Sequence, residues 1–235
     1  TRISARLKAE LSTPTDESLV AVAEAHMQLR GLPSNLVDPL RVDCLLDVAQ
    51  FFYVSGRTVL GLEPAQIAIQ YARQLPDPAV LRRALTVHGA LLADSGNLPS
   101  AIESQAESLE LAITLNHTMA IGSAWNNLGL ALLYGAQLRE ALRCFEQVVR
   151  LGAVEPTLAA LEPLALLNIA VTCLFIEDYS HGLQAIRKVV DTPSHAMSAN
   201  ELLNRVLAES TYCRLLLEID QLEEAQKRSQ IAKTL

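Results

Sequence analysis

Between Gly122 and Leu151 the sequence reads GSAWNNLGLALLYGAQLREALRCFEQVVRL, and its apolar residues fall where a pair of antiparallel helices would bury them. Trp125, Leu128, Gly129 and Leu132 recur at three- and four-residue steps, and Ala141 and Phe145 repeat the step further on. Steps of this kind lay one apolar stripe along each helix. Gly129 and Ala141 carry almost no side chain, so the two helices can approach closely where they cross, while Trp125 and Phe145 fill the space on either side. Trp125 is the only tryptophan. Its truncation to alanine is expected to uncouple this pair from its neighbours at a cost of about 3–5 kcal/mol.

The same pattern recurs along the chain. Leu85, His88, Gly89, Leu92, Gly96, Leu98, Ala101 and Ser108 occupy matching positions, as do Leu166, Ile169, Ala170, Cys173, Tyr179, Gly182, Ile186 and Val189. A further copy carries Tyr212, Cys213, Leu216, Leu222, Ala225, Ser229 and Ala232. A weaker copy has Leu45, Ala49, Phe52 and Gly56, then a predicted helix from about Glu63 to Arg73, with RTVLGLEP supplying about four extra residues between its helices. Copies begin near residues 42, 82, 122, 163 and 206. Residues 15 to 30 read as one more helix, with Thr15 or Asp16 as its N-cap. The expected organisation is an N-terminal helical cap or half-repeat over residues 1–40, followed by a repeat array over 41–235.

Composition agrees with an all-α chain. Half of the residues are apolar but only 4% are aromatic, Leu and Ala dominate, and no alternating strand pattern is present. Pro33, Pro39, Pro64, Pro76, Pro78, Pro99, Pro156, Pro163 and Pro193 are all expected at connections or in first helical turns, where proline is tolerated.

The order large, medium, small, large, followed by small and large, resembles the tetratricopeptide (TPR) repeat, in units longer than the roughly 34 residues usual for that family. The resemblance implies a right-handed α-solenoid of about five helix pairs plus an N-terminal helix, and a binding role in place of chemistry. It also implies a concave groove lined by Asn126, Asn127, Leu130, Tyr134, Leu167, Asn168, Val171 and Phe175. Asn127 and Asn168 resemble the peptide-binding asparagines of signalling TPR proteins, whose amides both donate to and accept from a peptide backbone. Equally open is a role in which the two asparagines cap or bridge neighbouring helices. The apolar lining suits an amphipathic partner helix or a segment of the same chain. Asn126 and Leu167 stand where a carboxylate clamp would need lysine, so chaperone-tail binding is disfavoured.

Ala124–Gly129 with Glu140–Phe145, the final ESTYCRLLLEIDQLEEAQKRSQIA and the preference for arginine over lysine resemble the N-terminal sensory arrays of bacterial signalling proteins. Similar arrays precede GGDEF diguanylate cyclase domains, although no GGDEF or GGEEF string occurs here. The chain begins at Thr1 and its last helix runs to Leu235 without an evident polar cap, as expected of an excised sensory region. The alternative is a stand-alone scaffold or adaptor that self-associates through exposed solenoid ends.

The remaining signals exclude more than they assign. A net charge of −7 argues against nucleic-acid binding, and no uncharged apolar run reaches the roughly 18 residues of a membrane helix. Arg139, Arg143 and Arg150 are expected to pair with Glu140 and Glu146 on a solvated face, the sharper alternative being an anion-binding patch. Arg82–Arg83 and Arg187–Lys188 are the other basic pairs. Cys44, Cys144, Cys173 and Cys213 are far apart and form no CxxC, which fits reduced structural thiols in a cytoplasmic protein. His26, His88, His117, His181 and His195 are isolated, with His88 expected in the core and His117 and His195 in solvated connections. Glu103, Glu107 and Glu110 form an acidic edge without a histidine. No nucleotide, metalloprotease or hydrolase motif is present, so neither a catalytic residue, a metal nor a cofactor is expected.

Overall fold

The computed structural model describes residues 16–31, 38–192 and 198–235, with side chains described throughout these except at 16–19, 30, 199 and 200. Thr15, Pro33, Pro193 and His195 lie outside them. All regular structure among the described residues is helical. The helices are α1 (Asp16–Gly31), α2 (Pro39–Val54), α3 (Thr58–Ala72), α4 (Pro78–Asp94), α5 (Leu98–Thr114) and α6 (Thr118–Tyr134). They continue as α7 (Leu138–Gly152), α8 (Glu162–Phe175), α9 (Tyr179–Val190), α10 (Ala199–Glu218) and α11 (Leu222–Thr234), with a 3₁₀ turn at Pro156–Leu158.

Local chemistry sets the helix ends. Asp38 and Asp77 accept hydrogen bonds from the backbone N–H of Leu40 and Ala79, each 2.9 Å long. Pro39 and Pro78 follow in the first turn, where a missing N–H leaves no bond unmade. Asp178 caps α9 through His181 N–H, and Ser198 and Glu201 form a capping box at α10. The turn that closes each helix pair is the same five times. Gly56, Gly96, Ala136, Glu177 and Asp220 all have positive φ. The next residue's N–H then reaches back five positions: Arg57 to Phe52, Asn97 to Leu92, Gln137 to Leu132, Asp178 to Cys173 and Gln221 to Leu216, at 2.8 to 3.0 Å.

The first pair departs from its sequence reading. The segment RTVLGLEP is not a spacer: α3 begins at Thr58, and Pro64 lies inside it and is buried. A proline there cannot donate to the carbonyl of Leu60, which normally breaks or kinks a helix. Packing holds α3 through it. A Cβ on Gly61 would lie 2.8 Å from Leu91 Cδ2 and 3.0 Å from the Ala49 carbonyl oxygen, so α3 approaches α2 and α4 more closely than any residue but glycine allows. Thr58, Pro64 and Ala65 are buried on the same helix.

The chain divides into two compact units, Thr1–Asn127 and Leu128–Leu235, with the division inside α6. In the first, α1 packs on α2, α2 on α3, α3 on α4 and α4 on α5, and α2 also meets α4. Its core joins Val22, Leu29, Val42, Leu45, Phe51 and Leu85, and Arg41 ties α1 down by donating to the Leu29 carbonyl at 2.8 Å. In the second unit, α7 packs on α8, α8 on α9, α9 on α10 and α10 on α11, and α8 also meets α10. Leu167, Leu183, Ile186, Tyr212, Leu215 and Leu216 form its core. Contact between a helix and the next but one is what two stacked helix pairs produce when their first helices touch. Gly129 performs the expected close approach: a Cβ there would lie 2.6 Å from Phe145 Cε1. Phe145 is fully buried, whereas Trp125 is left partly exposed.

Candidate functional site

The eight groove candidates occupy two helices. Asn126, Asn127, Leu130 and Tyr134 are on α6, and Leu167, Asn168, Val171 and Phe175 are on α8. Asn127, Leu130 and Tyr134 follow one helical stripe, as do Asn168, Val171 and Phe175. The register also matches. Tyr134 and Phe175 each stand two residues before the left-handed turn residue of their pair, Ala136 and Glu177.

Exposure separates these residues. Tyr134 and Phe175 are each 59% exposed, and Leu130, Val171 and Asn127 are half-buried. Asn126 is only 6% exposed, Asn168 8% and Leu167 5%. Leu167 belongs to the core of the second unit, against which Val171 packs. The two asparagines at matching positions are therefore not presented alike. Asn127 shares the first unit with Asn126, and the other six lie in the second.

The second unit also holds a cavity of about 350 Å³ lined by residues of α7, α8 and α9. Leu166 and Ile169 of α8 and Ala185 of α9 are its buried apolar wall, with Val149 of α7 beside them. Glu146 and Arg150 of α7 and His181, Gln184 and Lys188 of α9 complete it. His181 Nε2 is 4.0 Å from Glu146 Oε1, and its Nδ1 is 3.8 Å from Asp178 Oδ2. The expected pairing of Arg139, Arg143 and Arg150 with Glu140 and Glu146 is not formed: among the described residues no acidic group lies within 4.0 Å of these arginines or of Lys188. An exposed pair is worth less than about 1 kcal/mol, too little to hold two long side chains together. Arg150, Lys188, His181 and Glu146 of this site stood out in the sequence, but not as a site. Its apolar wall is built from stripe positions that look like ordinary core.

A third cluster joins α9, α10 and α11. The Glu209 carboxylate is fully buried, 3.5 Å from Arg205 Nε and 3.4 Å from Arg228 Nη1. Arg205 also donates to the carbonyls of Val189 and Val190, and Arg228 lies 4.6 Å above the Tyr212 ring. Partial burial works against the Arg228 charge, but Glu209 and then Glu224 hold its pKa above the ordinary guanidinium value. Arg205 and Arg228 tie α10 to its neighbours through these contacts, while Glu209 Oε1 has no hydrogen-bond partner among the described residues.

The other candidates resolve into local roles. His88 is half-buried, its Nδ1 lies 3.3 Å from Ser104 Oγ, and burial lowers its pKa. His117 accepts from Ala120 N–H through Nδ1 and so caps α6. Glu107 pairs with Arg73 at 2.9 Å. Cys44, Cys144 and Cys173 are buried and Cys213 half-buried, all as free thiols. Burial, reinforced by Glu140, pushes the Cys144 thiol up to about 11, and burial with Asp178 and Glu146 pushes Cys173 up to about 12. Among the described residues no group of three or more His, Cys, Asp or Glu is placed to hold a metal ion, and no helix is long and apolar enough to cross a membrane.

No protein-family model matches the chain, and no curated protein sequence does. Solved structures do. The TPR-like repeats of a kinesin-light-chain protein of Podosopora anserina superpose with a TM-score of 0.68 at 14% identity, covering 84% of this chain and 95% of that one. BtubC (BKLC) from P. vanneervenii gives a TM-score of 0.72 at 13% identity, over 97% of this chain and 90% of its own. The quorum sensor NprR from B. thuringiensis, in its apo form, gives 0.73 at 12% identity, over 96% of this chain and 60% of its own. NprR has also been solved in complex with its cognate peptide NprX. At these identities the likeness establishes the fold: an all-α solenoid class of TPR-like helix pairs.

Proposed function

We propose that this chain is a non-catalytic module that binds a protein or peptide, and that it forms the regulatory, sensory part of a bacterial signalling protein. The observation that carries the binding role is the pair Tyr134 and Phe175. Each is more than half exposed at the end of the first helix of its pair, in matching register, on helices whose other apolar residues are largely packed. Large aromatics presented in this way are suited to anchor a partner side chain. The fold is shared with NprR, a protein solved with a bound peptide. The sensory role rests on the resemblance of Ala124–Gly129 and Glu140–Phe145 to arrays that precede GGDEF domains. A partner held on the α6 and α8 stripes would then bias an attached output domain.

The test is selection from a random peptide library on the full chain, followed by titration of the selected peptide. Replacing Tyr134 and Phe175 together by alanine is expected to weaken binding by about tenfold or more with far-UV circular dichroism unchanged. Asn127→Ala with Asn168→Ala asks whether the amides take part. If no peptide is enriched over an unrelated helical protein, or if the aromatic pair is dispensable, the reading fails. Exposed Leu217, Leu222, Ile231 and Leu235 in the last helix pair favour a second reading, a self-associating scaffold, which concentration-dependent sedimentation would reveal.

A further inference from the structure

We propose that the cavity between α7, α8 and α9 binds a small amphipathic carboxylate, an apolar body of a few carbons ending in a carboxylate group. Its size, about 350 Å³, is at the lower end of the roughly 300–1,000 Å³ typical of small-ligand sites. The wall formed by Leu166, Ile169 and Ala185 offers no hydrogen bond from a side chain, so the part of a ligand lying on it must be apolar. The rim has the opposite character. Arg150 and Lys188 are exposed cations with no acidic group of the described residues within 4.0 Å, in a chain whose net charge is −7. The one acid of the lining, Glu146, lies toward His181, which Asp178 also approaches. Gln184 adds an exposed amide donor. A carboxylate can therefore accept charge-assisted hydrogen bonds from Arg150 and Lys188 while its carbon body covers the apolar wall. An ammonium at the same rim would meet two like charges, and a polyol would leave most of its hydroxyls unpaired against the wall.

A free short-chain acid and the last residue of a peptide with an apolar side chain present the same chemistry. Backbone-amide NMR titrations of the full chain separate the cases. Octanoate is expected to shift the amides of α8 and α9 around Leu166 and Ala185 saturably, and octan-1-ol to bind about tenfold more weakly. Arg150→Gln with Lys188→Gln replaces two exposed cations by neutral amides and leaves the core intact. It is expected to reduce octanoate affinity to that of octanol and leave octanol binding unchanged. N-acetylleucine binding at the same amides, with N-acetylleucinamide failing to bind, would identify a peptide C-terminus as a competent source; octanoate binding alone would identify the free acid. Equal binding of octanoate and octanol, an unaffected double variant, or shifts confined to other helices would overturn the proposal. The site is independent of the peptide-binding reading, since the Tyr134 and Phe175 alanine variant should still bind octanoate.

Discussion

Ala136 closes the α6–α7 turn with φ at 56°, a left-handed conformation that its Cβ disfavours, whereas Gly56 and Gly96 close two equivalent turns at no such cost. Ala136→Gly should therefore raise unfolding stability by about 1 kcal/mol, read as a higher urea midpoint at unchanged slope. The thiols make a second prediction at this scale. In the folded chain Cys144 and Cys173 titrate near 11 and 12 against an ordinary 9.0, because burial penalises the thiolate. A raised acid pKa favours folding while both states keep the proton. Its contribution is therefore full below pH 9.0, falls as unfolded thiols begin to ionise, and is lost as pH rises through the folded values. Urea midpoints measured between pH 8 and 10.5 should decline, and the decline should be shallower in a Cys144→Ala, Cys173→Ala variant.

Each helix is held at its ends by local chemistry and along its length by its neighbours, and the two do not always agree. Sequence logic starts α3 near Glu63 because Pro64 belongs in a first turn. Instead the helix starts at Thr58, since the contacts of Gly61 with α2 and α4 outweigh the lost bond at Pro64. In the last pair the arrangement is electrostatic. Glu209 is buried between Arg205 and Arg228, so removing one cation leaves a carboxylate desolvated and undercompensated. Arg228→Met is expected to destabilise the α10–α11 pair by about 3 kcal/mol. Glu209→Gln, which removes the charge but keeps the shape, should cost less. Equal losses in the two variants would show that the ion pairing itself, and not an undercompensated buried carboxylate, sets the cost.

Within each unit the helices pack on near neighbours in the chain, and contacts of that kind make stability local. The same Arg228→Met variant provides the measure. Hydrogen exchange should quicken in α10 and α11, while protection in α4 and α5, which belong to the other unit, stays at its original level. Faster exchange throughout the chain would mean that folding is cooperative over both units.

The sequence by itself determined the helical class and the small residue at the Gly129 crossing. These follow from short-range rules: a 3.6-residue period, capping by Asp before Pro, and the absence of a side chain at Gly129. The left-handed turns at Ala136, Glu177 and Asp220 were hidden, because nothing in those residue types marks the conformation that Gly56 and Gly96 advertise. Exposure was hidden too. Asn127 and Asn168 match in the repeat, yet one is half-buried and the other buried, because burial depends on what neighbouring helices bring to each position. The cavity of the second unit was the least legible feature. Its wall reads as core and its rim as solvated charge, and only the packing of α7, α8 and α9 decides that the two meet around an open space.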